Sequence, residues 1–150
     1  EGTRGEFVDK AKNLKDAEKI IKKFWKKGSE KIPIIAQEFI PSSSYRVTII
    51  DKKIVQTAIK KNNGWKATGV YAKKTKRFKV DKKLREIIKK IIKIFNISIC
   101  GIDFLKRGDE WVALEINSDP AFDFFKCERE KLINLSLNLL KKEALKKKKN

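Results

Sequence analysis

Two short segments in which apolar and polar residues alternate constrain the fold more than any other feature. They are 101–105, GIDFL, and 111–117, WVALEIN. Neighbouring side chains of a β-strand point to opposite faces of a sheet, so each segment predicts a strand with one apolar and one polar face. Gly108 lies between the segments and predicts a turn that joins them. The residues expected to face the core are Ile102, Phe104, Val112, Leu114 and Ile116.

The polar face of this predicted hairpin carries three oxygen-bearing side chains. If the turn is centred near Asp109, Asp103 falls opposite Glu115, and Asn117 lies on the same face as Glu115. Carboxylate and amide oxygens are the ligands that Mg²⁺ prefers, with water and nucleotide phosphates in the remaining positions. The pattern therefore predicts a magnesium site. The alternative is that these residues only solvate the exposed face of a strand or pair with lysines, as exposed acids usually do.

The size and charge of the chain bound what it can bind. Its 150 residues suffice for one domain with an apolar core, and 41% of them are hydrophobic, which excludes a chain disordered by composition. Lys and Arg number 38 against 19 acidic residues, which gives a formal charge of +19. This excess favours anionic partners, among them nucleotides and nucleic acids.

Several chemistries are excluded or disfavoured by residue type. The chain has no histidine, so histidine catalysis and histidine-ligated zinc are excluded. Cys100 and Cys127 are isolated in the sequence, which favours two free thiols in a reducing, cytoplasmic setting. We find no apolar run long enough to predict a membrane-spanning helix.

Three segments have apolar residues at helical spacing, namely 14–27, 80–95 and 128–146. Asn13 precedes the first segment and Asp81 is the second residue of the second, and the two are predicted to cap these helices. The strands predicted outside the first hairpin are 32–40, 46–50, 54–59 and 65–72. The polar residues 60–64 are expected to form a break between two of these strands, and the basic residues 73–79 are expected to be a mobile connection to the second helix. Helices beside an antiparallel sheet predict an α+β fold.

The order of these motifs resembles the ATP-grasp superfamily, and most closely its RimK-like branch, which ligates glutamate or another amino acid onto a carboxylate. The resemblance covers residues 1 to about 126 and is tightest at Gly101-Ile102-Asp103 and Glu115-Ile116-Asn117. It implies an ATP-grasp-like antiparallel sheet with helices packed on it. The expected organisation is the C-terminal portion of an ATP-grasp domain over 1–145 and a basic tail over 146–150, as an incomplete fragment of a longer protein.

The resemblance implies a role for each matching residue. Asp103, Glu115 and Asn117 match the ligands of the magnesium ions that bridge the ATP phosphates. Arg46 matches the arginine that opens the central hairpin of the family, and Lys61 stands near the basic residue that faces the reacting phosphate. These two are the expected catalytic residues. The residues expected to bind ATP are Gly2, Thr3, Gly5, Glu38, Phe39, Ser44, Lys66, Ala67 and Thr68.

The activity implied is that of an ATP- and Mg²⁺-dependent carboxylate–amine ligase that works through an acyl phosphate. Its expected partners are ATP, a small-molecule or peptide carboxylate, an amino acid and a missing N-terminal domain. Phosphoryl transfer needs positioning and charge neutralisation more than a protein nucleophile. Several positions depart from the family pattern, including Phe7 for glycine and Ser44 for an acid. We therefore expect that this chain alone is not a competent ligase.

Two alternatives stay open at this point. The charge of +19, with Trp65, Tyr71 and Phe78 set among lysines, is also typical of a nucleic-acid-binding module whose aromatic rings stack on bases. The departures from the family pattern also fit a relative that binds nucleotide without catalysis.

Overall fold

The structure is a computed structural model that describes residues 7–26, 33–62, 65 and 72–147. Within these residues the chain forms three helices and five strands. The helices are α1 (Leu14–Phe24), α2 (Lys82–Phe95) and α3 (Lys126–Lys147). The strands are β1 (Ser44–Ile50), β2 (Lys53–Asn62), β3 (Ala72–Lys76), β4 (Ile99–Arg107) and β5 (Glu110–Asn117). The strands form one antiparallel sheet in the order β3-β2-β1-β4-β5, which confirms the predicted α+β class.

Both predicted helix caps are confirmed. The Asn13 side chain accepts a hydrogen bond from the Asp16 backbone N–H at 2.9 Å, and Asp81 accepts one from Leu84 at 2.7 Å. These bonds satisfy N–H groups that a helix leaves without a partner in its first turn. Asp81 also accepts a bond from the Trp111 indole at 2.8 Å, so the same carboxylate joins α2 to the sheet.

The hairpin of β4 and β5 has the predicted register at the end away from its turn, where Asp103 pairs with Glu115 and Gly101 with Asn117. A β-bulge follows, because Phe104 pairs with Ala113 and Leu114 is the extra residue. The bulge shifts the alternation by one residue. Leu114 is therefore 40% exposed, and the prediction that it faces the core is wrong.

The same bulge changes which β5 residues cover the core. Beyond the bulge, Trp111 rather than Val112 shares a face with Phe104, and Trp111 packs on the core with Ile116. The sequence shows the alternation on each side of a bulge but does not mark the residue at which it shifts.

Three other boundaries differ from the predictions. Residues 33–40 form no strand, and Ile35 is 86% exposed, because this apolar segment has no sheet neighbour to take its backbone hydrogen bonds in the described part of the chain. β2 continues through Asn62, and β3 occupies part of 73–79, so two predicted connections are partly strand. The predicted strand at 65–72 lies almost wholly outside the described residues.

The main core lies between one face of the sheet and α2. Its fully buried residues come from β1, β4 and α2: Val47, Ile49, Leu84, Ile88, Cys100, Ile102 and Phe104. A smaller apolar cluster forms on the other face, where Ile50 packs against Leu132 and Leu139 of α3. No helix among the described residues is long and apolar enough to span a membrane.

Candidate functional site

A buried ion pair between Arg46 and Asp103 forms the centre of the polar face of the sheet. The two residues are paired across β1 and β4. Arg46 donates from Nε to Oδ1 at 2.8 Å and from Nη2 to Oδ2 at 2.6 Å. The two bonds match the fork of a guanidinium to both oxygens of one carboxylate, which is the strongest arrangement for such a pair.

Lys60 of β2 is a second cation on the same carboxylate. Its Nζ donates to Asp103 Oδ1 at 3.0 Å, and the lysine is only 4% exposed. Burial alone would raise the pKa of Asp103, but the hydrogen bonds and positive charges of Arg46 and Lys60 outweigh burial and hold this pKa below its ordinary value. Asp103 is therefore a carboxylate at neutral pH although it is 3% exposed.

Gly101 makes room for the Arg46 guanidinium. A Cβ built at position 101 would overlap the Nη1 atom of Arg46 and would lie 3.1 Å from the Cβ of Pro120. Only a residue without a side chain lets the guanidinium lie against β4 while Pro120 packs on top. The glycine before Asp103 therefore serves the position of the arginine.

Glu115 and Asn117 extend the site toward the surface. The Asn117 amide nitrogen donates to Glu115 Oε1 at 3.0 Å. Glu115 lies opposite Asp103 across β4 and β5, and it lowers the pKa of Asp103 by less than Arg46 and Lys60 do. The structure thus brings together Asp103, Glu115 and Asn117. The described residues contain no group of three or more His, Cys, Asp or Glu side chains able to hold a metal, so the third oxygen donor here would be an amide.

Phe124 covers the two buried cations. Its ring centroid lies 5.8 Å from the Arg46 guanidinium carbon and 5.9 Å from Lys60 Nζ. Phe124 belongs to the segment between β5 and α3, in which Phe122 packs against the Ile50 cluster and Phe125 lies 4.6 Å from the Arg77 guanidinium. The ring is the aromatic wall of the site.

Three further residues that were predicted to bind ATP lie in the described part of the chain. Ser44 is 1% exposed and pairs with Lys60 across the strands. Glu38 is exposed and forms an ion pair with Arg107 at 2.8 Å. Phe39 is 41% exposed, with Lys10 Nζ 3.6 Å from its ring centroid. None of these three residues has a described contact with Asp103, Glu115 or Asn117.

The remaining predicted residues cannot be compared with the structure. Those outside the described residues are Gly2, Thr3, Gly5, Lys66, Ala67 and Thr68. Lys61 lies in β2, paired with Lys74, but its side chain is likewise outside the description. Its catalytic role stays a prediction.

Lys60 is the functional candidate that sequence reasoning missed. The strand was predicted to end at Ile59, so no face was assigned to the residue that follows. Extending the alternation of β2 from Gln56 through Ala58 would have placed Lys60 on the face of Arg46, because cross-strand partners share a face. The alternation that identifies Lys60 is present in the sequence, but it lies beyond the end that was predicted for this strand.

Cys100 and Phe78, candidates for a reactive thiol and for a ring that stacks on a base, are both packed against other side chains. Both cysteines are free thiols, and burial raises the pKa of Cys100 in the main core, which disfavours a reactive thiolate there. Phe78 packs edge to face on Tyr45, with ring centroids 5.2 Å apart. Stacking of the Phe78 ring on a base is therefore disfavoured, which weakens the nucleic-acid alternative. Tyr71 lies outside the described residues.

A family model described as the RimK-like ATP-grasp domain matches residues 1–142. The chain belongs to the RimK-like ATP-grasp family. Its similarity to known proteins extends to a probable alpha-L-glutamate ligase of Coxiella burnetii, 29% identical over 128 residues, and to one of Vibrio atlanticus, 29% identical over 132 residues. Each alignment covers 82% of this chain and 42% of the relative, so the chain spans less than half the length of these ligases.

Two solved enzymes, a macrocyclase and an ATP-grasp ligase, share the fold at low sequence identity. The macrocyclase MdnC of Microcystis aeruginosa, bound with the precursor peptide MdnA, matches at a TM-score of 0.53 and 22% identity, over 77% of this chain and 36% of its own. The ligase PsnB, complexed with a minimal precursor, Mg and ADP, matches at 0.53 and 16%, over 86% of this chain and 44% of its own. The sheet and helices described above are thus an ATP-grasp fold that covers part of each enzyme.

Proposed function

We propose that this chain is the nucleotide- and magnesium-binding part of an ATP-dependent carboxylate–amine ligase. The observation that carries the proposal is the meeting of Asp103, Glu115 and Asn117 at paired strand positions beside two buried cations. Family membership supports the reaction class, and the names of the relatives favour glutamate as the amine. The two free thiols are in keeping with a cytoplasmic enzyme.

The side chains present fit a magnesium–phosphate complex. Because the Asn117 nitrogen donates to Glu115, the amide oxygen of Asn117 is left to bind a cation. Asp103 accepts three hydrogen bonds from the described residues, and a carboxylate has about four lone-pair sites, so one site on Oδ2 remains beside them. Hard oxygen donors of this kind suit Mg²⁺, which would neutralise charge on the phosphates when bound.

The charge balance of the site favours metal and phosphate together. Asp103 and Glu115 are matched by Arg46 and Lys60, so the four side chains sum to no net charge. A Mg²⁺ ion alone would gain little attraction from such a set, whereas Mg²⁺ on a phosphate chain brings its own counter-charge. We therefore expect metal affinity to depend on nucleotide.

Arg46 and Lys60 would act on the phosphate side of the reaction. Both cations are fixed by Asp103 before any substrate arrives, and preorganised charges need no reorganisation when charge develops in the transition state. In our proposal they stabilise the phosphate oxygens while ATP activates the carboxylate as an acyl phosphate. The amine of the amino acid then attacks the acyl carbon and displaces inorganic phosphate. The rest of the longer protein would supply most of the substrate contacts.

The test is nucleotide binding by the full-length protein, measured by calorimetric titration of ADP with and without Mg²⁺. Glu115→Gln keeps the shape of the side chain and removes one charge. Since loss of even an outer-shell partner weakens metal sites by 10–100-fold, we expect at least about tenfold weaker Mg·ADP binding. Glu110→Gln, an exposed residue of the same strand, is the matched control.

Equal Mg·ADP affinity in wild type and Glu115→Gln would reject the proposed metal site. A second measurement, phosphate release that depends on both glutamate and a carboxylate acceptor, separates a ligase from a relative that only binds nucleotide. Binding without turnover would leave the site assignment in place and remove the ligase activity.

A further inference from the structure

The cations proposed to meet phosphate are hidden from solvent in this structure. Lys60 is 4% exposed and Arg46 is 8% exposed. A phosphate group needs direct contact with these side chains, so something must move before it can bind. The contacts of the segment between β5 and α3 identify what can move.

Three residues of this segment are anchored. Pro120 is buried against Gly101, and Phe122 packs on the cluster of Ile50. Phe125 accepts a backbone hydrogen bond from Glu128 at 2.9 Å, at the start of α3, and its ring faces Arg77. These contacts hold the backbone on both sides of position 124.

Phe124 differs from its neighbours in what its ring touches. It is half-buried, and among the described residues the partners found for its ring are the two cations, each nearly 6 Å from its centroid. This is the outer limit of a cation–π contact, where the attraction is weak. A side chain held weakly on a fixed backbone can leave by rotating about its own bonds, which is faster than movement of a whole loop.

We propose that Phe124 is a side-chain gate over Arg46 and Lys60, closed in this structure, that swings away when an anion reaches the two cations. The inference rests on the proposed function for the identity of that anion, a nucleotide phosphate, and on geometry alone for the gate. In the closed state Phe124 keeps water from the two cations.

The gate is tested first without nucleotide, by the rate at which acetic anhydride acetylates Lys60 in the full-length protein, measured by peptide mass spectrometry. Lys89, whose side chain is 65% exposed, is the internal standard. Wild-type Lys60 is expected to react more slowly than Lys89. Phe124→Ala should raise the Lys60 rate by about two- to fivefold, the factor that a weak cation–π contact represents.

Two further variants separate a gate from a general loosening of the fold. Phe125→Ala removes the neighbouring ring, which contacts Arg77 instead, and should leave the Lys60 rate unchanged. Phe124→Leu keeps an apolar side chain without a π face and should give an intermediate rate. A Lys60 rate that is equal in wild type and Phe124→Ala, or raised equally by Phe125→Ala, overturns the gate.

The second arm measures the association rate of a fluorescent ADP with Mg²⁺ by stopped flow. Phe124→Ala should accelerate association by a similar factor, about two- to fivefold. Faster acetylation in a protein that binds no nucleotide would support the gate and reject the proposed function. Nucleotide binding with unchanged acetylation would reject the gate and support the proposed function.

Discussion

The two faces of the sheet bury their residues in different ways. On the face covered by α2, Val47, Ile49 and Ile102 are fully buried among other apolar side chains. On the opposite face, Arg46 and Asp103 are 8% and 3% exposed, although both carry charge. The residues alternate along the same strands, so each strand contributes to both environments.

The difference separates stability from function. Apolar burial contributes roughly 25 cal/mol per Å² removed from water, so the α2 face supplies much of the driving force for folding. A buried ion cluster gains little net stability, because the loss of hydration offsets the attraction between the charges. Two buried atoms on the polar face, Thr48 Oγ1 and Gln56 Oε1, have no hydrogen-bond partner among the described residues, and this adds to the cost of that face. The polar face is thus better explained by binding than by folding.

The largest expected effect comes from removing the shared carboxylate. Asp103→Ala leaves Arg46 and Lys60 buried without a counter-charge, and such a change typically costs about 3–5 kcal/mol of unfolding free energy. Urea denaturation at neutral pH measures it. Replacing all three residues together, as Arg46→Met, Lys60→Leu and Asp103→Leu, should restore most of this stability, because no unpaired charge remains. A triple variant less stable than Asp103→Ala would show that the charges themselves stabilise the fold.

The apolar face should respond to loss of volume rather than loss of charge. Ile88→Ala removes a side chain that is 1% exposed at the centre of the core, and we expect a loss of about 2–5 kcal/mol from lost burial and the cavity that remains. Ile94→Ala on the same helix is the control, because Ile94 is 75% exposed and should change stability by no more than about 0.5 kcal/mol. Equal effects in the two variants, measured by urea denaturation, would contradict the assignment of the core.

The pH dependence of stability should be located on the polar face. The pKa of Asp103 is lowered in the folded protein, so its contribution is present above the unfolded pKa, near 3.8, and is lost as pH falls below that value toward the folded pKa. The loss should be smaller than in Asp103→Ala, since the protonated acid still forms hydrogen bonds. Urea denaturation between neutral and acidic pH should show a shallower fall below that pKa in Asp103→Asn. A fall as steep as in wild type would assign the acid sensitivity to other carboxylates.

The smallest effect tests how α2 is attached to the sheet. Asp81→Ala removes the helix cap and the bond from Trp111, and the loss of a cap is typically worth about 1 kcal/mol. Glu86→Ala on the same helix removes only an exposed ion pair with Lys89 and should cost a few tenths of a kcal/mol at most. A shift in thermal midpoint no larger for Asp81→Ala than for Glu86→Ala would show that the cap adds little.

The sequence alone predicted the parts of the molecule in which apolar residues recur at the spacing of a helix or a strand. The α2 helix, its cap and the register that pairs Asp103 with Glu115 could be predicted because each depends on residues near one another in the chain. The bulge at Leu114 could not, because it depends on how β5 twists against β4.

The candidate site was predictable only in part for the same reason. Its oxygen donors lie on one hairpin, and Arg46 was recognised from its place in the motif order. The contact of Lys60 with Asp103 joins residues 43 positions apart, and the cover provided by Phe124 depends on the path of a loop. Contacts of this kind become visible only when the strands are assembled.

The most direct test of the central claim is the position of a metal in crystals of the full-length protein grown with Mn²⁺ and ADP, located by anomalous diffraction. The account predicts an anomalous peak within about 2.0–2.3 Å of the oxygens of Glu115 and Asn117, close to Asp103, with the ADP phosphates on the side of Arg46 and Lys60. A peak elsewhere in the protein, with ADP bound and these three side chains without a metal, would contradict it.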